Sequence, residues 1–263
     1  MGVAYEEFDC LIADGAALTP GTRKVAAEEP LTVFVEGEAL VVLVCTPDHE
    51  RELALGYLLT EGLLTSAKDV ASLDSGTKGQ LHVELAPGVT LESSAAGKPL
   101  VSPVCGLCGA RAVETLVFEL PPFPGTAIAA ADLRQMAVVL RSQQPLFEAT
   151  GGTHAAVLCP KTPLGPNPVV IVREDIGRCN AVDKVLGACH LRGEALDRPL
   201  LFVSGRCSFE TVAKAARAGV GAVAGIGAPT SMGVKLARRL KMLLAGFVRG
   251  ETLTIYSGRL AEE

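Results

Sequence analysis

From about residue 150 to residue 248, short apolar runs alternate with segments of helical periodicity. Such alternation predicts an α/β sheet with helices packed on its faces. Ligands of these sheets gather at the loops beyond the carboxyl ends of the strands, so we expect the functional site among those loops. The predicted strands cover 154–159, 169–172, 200–203, 220–226 and 243–248, and the predicted helices cover 179–188, 208–217 and 231–240.

The first half of the chain has a different pattern. Apolar runs at 31–35 and 39–44 flank a Glu-Gly-Glu turn, which is a hairpin signal, and 80–85 alternates as a further strand. We therefore predict a smaller N-terminal α+β region over 1–125, followed by the α/β domain over 126–263.

Three local signals set the expected ends of elements in that first half and at the boundary. Thr46-Pro47 is expected to cap a helix that ends at Gly62, where a left-handed cap costs least. Asp132 is expected to cap a helix that runs to about residue 143. Cys10 is expected in a flexible terminal segment.

Composition excludes several classes of protein. With 263 residues, of which 49% are hydrophobic and 20% charged, the chain can bury a sizeable core. The net charge of −5 argues against nucleic-acid binding. The first ten residues lack a secretion signal, and the uncharged stretch 218–234 contains glycines and a proline that disfavour a membrane span. We expect a cytoplasmic protein whose eight cysteines are mostly buried thiols rather than disulfides.

Cys105 and Cys108 are the exception among those cysteines, because glycines surround them in Cys105-Gly106-Leu107-Cys108-Gly109. The glycines leave both sulfur atoms open to a partner. A helix starting near Gly109 would present unpaired amides that favour the thiolate over the thiol. This pair limits the chemistry to sulfur transfer, redox reactions or metal binding.

The loop Ser204-Gly205-Arg206 joins a predicted strand to a predicted helix. Its amides, the Ser208 hydroxyl and the Arg206 guanidinium could together hold a phosphate. A helix cap with a surface arginine explains the same residues equally well. A basic stretch over 231–250 also suits an anion, although a solvated helix face is the plain alternative.

Two further loops carry titratable groups. Glu174 or Asp175 could accept a proton or orient a ligand amine, or they could belong to a salt-bridged helix start. His154 follows a Gly-Gly-Thr segment and could be a functional histidine or a hydrogen-bonded core residue.

Taken together, these segments resemble the formate dehydrogenase accessory sulfurtransferase family (FdhD) from about residue 28 to residue 257. The resemblance implies a protein that accepts persulfide sulfur from a cysteine desulfurase and passes it to the molybdenum cofactor before insertion into formate dehydrogenase. It also implies a homodimer and a three-layer α/β fold similar to that of cytidine deaminases. The resembling segments are 29–31 with 56–62, 105–109, 150–156, 173–178, 180–184 and 204–206.

Residue by residue, the resemblance implies that Cys105 bears the persulfide and that Cys108 is its companion. The expected cofactor is molybdenum bis(molybdopterin guanine dinucleotide), bound as a substrate, and no tightly held metal is expected. The nucleotide arms are expected at Phe247, Val248, Arg249, Gly250, Glu251 and Thr252, with Ser204, Gly205, Arg206, His154, Glu174 and Asp175 completing the site. Whether the two cysteines form a disulfide, and whether the metal is molybdenum or tungsten, stays open.

One position departs from the family pattern. The family has His-Asn where this chain has Cys179-Asn180. A histidine there could shuttle a proton, which Cys179 could do only as a thiolate. The alternative for Cys179 is a small buried residue.

Two other functions remain open from the sequence. Cys105, Cys108, His154 and Cys179 could instead hold a structural zinc ion, since the ligand types suit that metal. A zinc deaminase is disfavoured, because Ala156 occupies the frame of the glutamate that such enzymes use as general acid and base. A non-catalytic chaperone for the cofactor is the third hypothesis.

Overall fold

The computed structural model describes residues 4–91, 101–102, 120–125, 127–165 and 168–261. Cys105, Cys108 and nearly all of the helix predicted after them lie outside these residues. No helix in the described ranges is both long enough and apolar enough to span a bilayer.

A two-stranded antiparallel hairpin comes first, formed by β1 (Tyr5–Asp14) and β2 (Ala17–Ala26). Most of its side chains are exposed. Cys10, expected in a flexible terminal segment, is instead part of β1.

The N-terminal sheet has five strands in the order β5-β6-β3-β4-β7. The predicted hairpin is confirmed, because β3 and β4 pair antiparallel across the turn at Glu36 and Gly37. Alternate residues of both strands face helix α1 (Glu50–Thr60), and together they form one apolar core. The strands are β3 (Glu29–Val35), β4 (Glu38–Cys45), β5 (Val70–Ser75), β6 (Gln80–Leu85) and β7 (Val101–Ser102).

The second sheet has six strands in the order β10-β9-β11-β12-β13-β14. Its three neighbours β11, β12 and β13 run parallel, whereas β9, β10 and β14 join by antiparallel pairing. The strands are β9 (His154–Cys159), β10 (Ile171–Asp175), β11 (Leu200–Val203), β12 (Ala222–Gly225), β13 (Leu243–Arg249) and β14 (Thr252–Ser257). A short parallel pair, β8 (Ala127–Ile128) with β15 (Arg259–Leu260), lies beside it.

Helices cover both faces of this sheet. Helix α2 (Ala130–Ser142) packs on one face, and α4 (Arg178–Leu191), α5 (Phe209–Arg217) and α6 (Ser231–Arg239) pack on the other. A short helix, α3 (Pro145–Thr150), follows α2. Strand β9 alternates between the two cores, so the predicted α/β class is confirmed and the layers are helix, sheet and helix.

The two sheets are joined by a close crossing of α1 and α4. A Cβ at Gly56 would lie 1.9 Å from the carbonyl oxygen of Asp183, and a Cβ at Gly187 would lie 1.9 Å from that of Glu52. Only glycine allows helix backbones to approach so closely. The N-terminal region is therefore seated directly on the helix that follows β10.

The structure corrects two of the expected element boundaries and confirms a third. Helix α1 begins after His49, which has φ 54°, and not at Thr46-Pro47. The Thr46 hydroxyl instead accepts from the Ile176 amide at 3.1 Å. Helix α2 begins after Ala129, so Asp132 lies in its first turn. Gly62 does follow the end of α1 in the left-handed conformation, as predicted.

Candidate functional site

One edge of the six-stranded sheet collects most of the residues that the sequence singled out. The carboxyl ends of β10, β11, β12 and β13 meet there, together with the amino end of β9. His154 begins β9, Asp175 ends β10, residues 204–206 follow β11, and Phe247 lies near the end of β13. Neighbouring strands lie about 4.8 Å apart, so three strand spacings place His154 roughly 14 Å from β13 along this edge.

His154 borders a cleft of about 630 Å³ at this edge. The imidazole is partly buried, and burial lowers its pKa. Arg178 and Arg206 lower it further, whereas Asp175 acts in the opposite direction. The ring is therefore neutral at pH 7 and offers one nitrogen acceptor and one donor. The cleft is lined by Arg141, Gln144, Phe147, Glu148, Gly151, Gly152, Thr153, His154, Ser204 and Ile226.

The loop after β11 is fixed to its neighbours by backbone and side-chain hydrogen bonds. The Ser204 hydroxyl accepts from the Ala155 amide at 2.9 Å, and the Ser204 amide donates to the Ala155 carbonyl at 2.9 Å. The Ser208 hydroxyl accepts from the Thr211 amide and caps α5. Ser208 is thus committed to the helix, and Arg206, the other residue that the sequence singled out as an anion-binding candidate in this loop, is exposed.

Glycines allow this loop to touch the loop after β12. A Cβ at Gly227 would lie 2.5 Å from the Gly205 carbonyl oxygen, a distance that no side chain tolerates. Gly205 itself faces His154, since a Cβ there would lie 3.5 Å from Nδ1. Because Gly227 has no side chain, the loops after β11 and β12 can lie in contact. Because Gly205 has none, no side chain from that position covers His154, which stays open to the cleft.

Glu174, predicted to contact a ligand, is occupied by protein donors. Its carboxylate accepts from the amides of Leu146 at 2.8 Å and Phe147 at 2.7 Å. It also accepts from the Thr153 hydroxyl at 3.0 Å. The carboxylate therefore holds the first turn of α3, which forms one wall of the cleft.

Asp175 is fully buried beside His154, its partner across the β9–β10 pair. Its carboxylate pairs with Lys184 at 2.8 Å and accepts from Asn180 at 2.9 Å and from the Gly177 amide at 2.8 Å. Lys184 has no exposed side-chain surface and also pairs with Asp48. Burial works against the charged form of Lys184, but the two carboxylates outweigh it and raise its pKa.

The predicted nucleotide-binding segment forms the hairpin between β13 and β14. Phe247 is 41% exposed, has φ 53° and donates its amide to the Gly227 carbonyl at 3.1 Å. The Arg249 guanidinium donates to the Ile226 carbonyl at 3.3 Å. Val248 is buried in the core beneath α2, so only its backbone is available to a ligand. The turn residues Gly250, Glu251 and Thr252 are exposed.

Comparison with known proteins places this architecture in a family. The sequence model of the FdhD/NarQ family matches residues 26–261, nearly the whole chain. The chain belongs to the FdhD/NarQ family. It is 38% identical to the sulfur carrier protein FdhD of Anaeromyxobacter dehalogenans (strain 2CP-1), over 89% of this chain and 86% of that protein.

A second relative and a solved structure extend the comparison. The sulfur carrier protein FdhD of Sulfolobus acidocaldarius is 35% identical over 89% of this chain and 88% of its own length. The crystal structure of a Desulfotalea psychrophila protein assigned as a formate dehydrogenase accessory protein aligns with a TM-score of 0.78 and 21% identity. That alignment covers 97% of this chain and 98% of the other, and it shows a shared fold.

Cys179 is the residue that the sequence analysis expected to depart from the family pattern. It is 8% exposed, and its sulfur lies 3.4 Å from a carboxylate oxygen of Glu210. Burial raises the pKa of Cys179 to about 12, although Lys214 acts in the other direction. Cys179 is therefore a neutral, buried thiol, as the second of the two sequence interpretations predicted.

The Asp175–Lys184 pair confirms the salt-bridged helix start that was one sequence interpretation, but sequence reasoning missed the partners of these buried charges in the N-terminal region. Besides Lys184, Lys214 pairs with Asp183 at 2.9 Å and donates to Thr60 at 2.9 Å. The dense charges over 178–184 were a signal for such a network, but their partners Thr46, Asp48 and Thr60 lie more than a hundred positions away. Cys105 and Cys108 lie outside the described residues, so their roles, and the zinc alternative that needs them, stay predictions.

Proposed function

We propose that this protein is a sulfur carrier that holds a persulfide on Cys105 and delivers its outer sulfur to a molybdenum cofactor destined for formate dehydrogenase. The observation that carries the proposal is 38% identity, across 89% of the chain, to a protein named sulfur carrier protein FdhD. The match extends to many relatives of that name.

Loading begins when the Cys105 thiolate attacks the outer sulfur of a persulfide on a cysteine desulfurase. An S–S bond forms at Cys105, the S–S bond of the donor breaks, and the donor cysteine leaves as a thiolate. The step needs no outside oxidant. The described cysteines support the choice of Cys105 indirectly, because five of the six are buried and poorly suited to form a thiolate.

Delivery of that sulfur as hydrosulfide needs two electrons, because the outer sulfur of a persulfide is formally neutral. Attack of the Cys108 thiolate on the inner sulfur of Cys105 supplies them. A Cys105–Cys108 disulfide forms, hydrosulfide leaves, and a cellular dithiol then reduces the disulfide. The two-residue spacing of the cysteines suits this exchange.

The cofactor, bound as a substrate, is proposed to lie along the sheet edge that carries His154 and Phe247. The exposed Arg206 and the Arg249 guanidinium suit phosphoryl oxygens. The neutral His154 offers a hydrogen bond at the cleft that it borders. A span of roughly 14 Å between His154 and β13 is long enough for an extended nucleotide arm.

We further propose that the layered sheet is related to that of the cytidine deaminases. Ala156 is fully buried and belongs to the core on the face of α4. A deaminase would need a glutamate at that place in its motif to move protons. Loss of that carboxylate favours sulfur transfer over hydrolytic deamination on this scaffold.

Intact-mass analysis tests the loading step. The protein is incubated with a cysteine desulfurase and cysteine, and a gain of one sulfur atom is expected for wild type and for Cys10→Ala, a matched control at a partly exposed cysteine. The gain should be absent in Cys105→Ala. A sulfur gain that survives in Cys105→Ala contradicts the proposal, and full support of formate dehydrogenase by that variant would favour a non-catalytic chaperone.

Two further measurements separate the remaining parts of the proposal. Metal analysis of purified protein distinguishes a persulfide carrier from the zinc alternative, which requires one zinc per chain. Light scattering after size exclusion tests the proposed homodimer, and cell fractionation tests the proposed cytoplasmic location.

A further inference from the structure

A second cleft opens at the other edge of the six-stranded sheet, opposite to the edge that carries His154. It has a volume of about 450 Å³ and lies between the end of α6, the segment before β13 and the end of β14. Strand β13 has seven residues, which at about 3.3 Å per residue separates the two edges by roughly 20 Å. The cleft is lined by Gly125, Arg238, Lys241, Ser257, Gly258 and Arg259.

Three of these lining residues are cations. No acidic side chain is among the lining residues that the structure describes. Arg238 donates its Nε to the Tyr256 carbonyl at 3.1 Å, which leaves its terminal nitrogens for other partners. Lys241 and Arg259 are exposed and, within the described ranges, make no side-chain hydrogen bond or ion pair. Unpaired like charges that converge on a concave surface repel one another, and an anion removes that repulsion.

The backbone at Lys241 carries an independent indication. Lys241 has φ 55° and directly follows Leu240, the C-terminal cap of α6. Glycine is the usual residue at this position, because a side chain there is strained. The chain therefore accepts a strained residue where it places a cation at the cleft. Residues in such conformations cluster at ligand-binding sites.

The opposite wall of the cleft is built from the turn after β14. Gly258 has φ 76°, and a Cβ there would lie 2.7 Å from the Cα of Leu243. This close approach fixes the turn against the start of β13. It holds Arg259 and the Ser257 hydroxyl, whose residue is only 8% exposed, on the same side as Lys241.

We propose that this cleft binds a phosphoryl group of a small molecule. Arginine presents a planar fork that matches two phosphoryl oxygens, lysine adds a mobile charge, and the serine hydroxyl adds a neutral donor. The volume lies within the range of small-molecule pockets. The site is separate from the proposed cofactor edge, and it does not depend on the sulfur-carrier function.

Isothermal titration with inorganic phosphate in one arm and pyrophosphate in the other tests the site at physiological salt. The variant is Lys241→Gly with Arg259→Ala, because glycine removes the charge and relieves the backbone strain. The matched control, Lys235→Ala with Arg239→Ala, removes two exposed charges of the same basic stretch that do not line the cleft.

Wild type and control are expected to bind at least one of the two anions with similar Kd. The cleft variant should bind it at least tenfold more weakly, since charged hydrogen bonds are typically worth at least a factor of about ten each. Thermal unfolding should show that the cleft variant is folded. The proposal is overturned if wild type shows no binding at millimolar anion. It is also overturned if the control loses as much affinity for the anion as the cleft variant does.

Discussion

Replacement of Lys184 by methionine tests how the buried charges support the candidate site. Lys184 has no exposed side-chain surface and donates to Asp175 at 2.8 Å, to Asp48 and to the Thr46 carbonyl at 3.1 Å. Methionine keeps most of the volume but leaves the Asp175 carboxylate buried without its cation. Breaking such a pair typically costs about 3–5 kcal/mol.

The lower end of that range is expected here, because Asp175 keeps its hydrogen bonds from Gly177 and Asn180. A loss of about 3 kcal/mol is a large part of a typical unfolding free energy of about 5–15 kcal/mol. Urea unfolding at pH 7 measures it, with Lys235→Met as the exposed control, for which a change within about 0.5 kcal/mol is expected. A loss below about 1 kcal/mol in Lys184→Met would refute the reasoning.

Two further arms sharpen this test. The double variant Lys184→Met with Asp175→Asn should recover much of the lost stability, because it removes the uncompensated charge. Burial raises the pKa of Asp175 even in the presence of Lys184. A carboxyl whose pKa is higher in the folded than in the unfolded state makes the protein less stable as the pH rises. The loss of unfolding free energy in Lys184→Met should therefore shrink on acidification.

Three other outcomes are expected. The pKa of His154, followed by NMR titration, should lie below its usual value because of burial and its arginine neighbours, and Arg206→Gln should raise it. Gly227→Ala should cost about 1–3 kcal/mol in urea unfolding, because its Cβ would strike a carbonyl of the adjacent loop, and an unchanged stability would contradict that contact. Cys179 should react with iodoacetamide far more slowly than Cys10 at pH 8 in native protein, as peptide mass spectrometry can show, since burial raises its pKa to about 12.

The strands of the second half could be predicted because their signals are local. The predicted runs 154–159 and 200–203 match β9 and β11 at both ends, since apolar residues follow His154 throughout β9 and fill β11, and a proline and a hydroxyl residue flank each strand. The general rule for parallel strands places Ser204 beyond the carboxyl end of β11. His154 reaches the same edge because β9 runs antiparallel to β11, so that the amino end of β9 lies there.

The roles of particular polar side chains could not be predicted in the same way. Thr46 was expected to cap α1, but its hydroxyl serves the Ile176 amide, 130 positions along the chain. Glu174 and Asp175 look alike in sequence, yet one holds a short helix and the other a buried lysine. These outcomes depend on which elements meet in space, and no local pattern encodes that.

The buried network also bears on how the two parts of the chain depend on each other. Asp48 and Thr46 come from the N-terminal region, whereas Lys184 and Asp175 belong to the α/β half, and Asp175 is the strand partner of His154. Separating the chain at the predicted boundary near residue 125 would strip Lys184 of two partners and expose the glycine faces of the α1–α4 crossing. The resulting loss of stability would be centred on the end of β10 beside His154. The N-terminal region therefore helps to set the geometry of the candidate site.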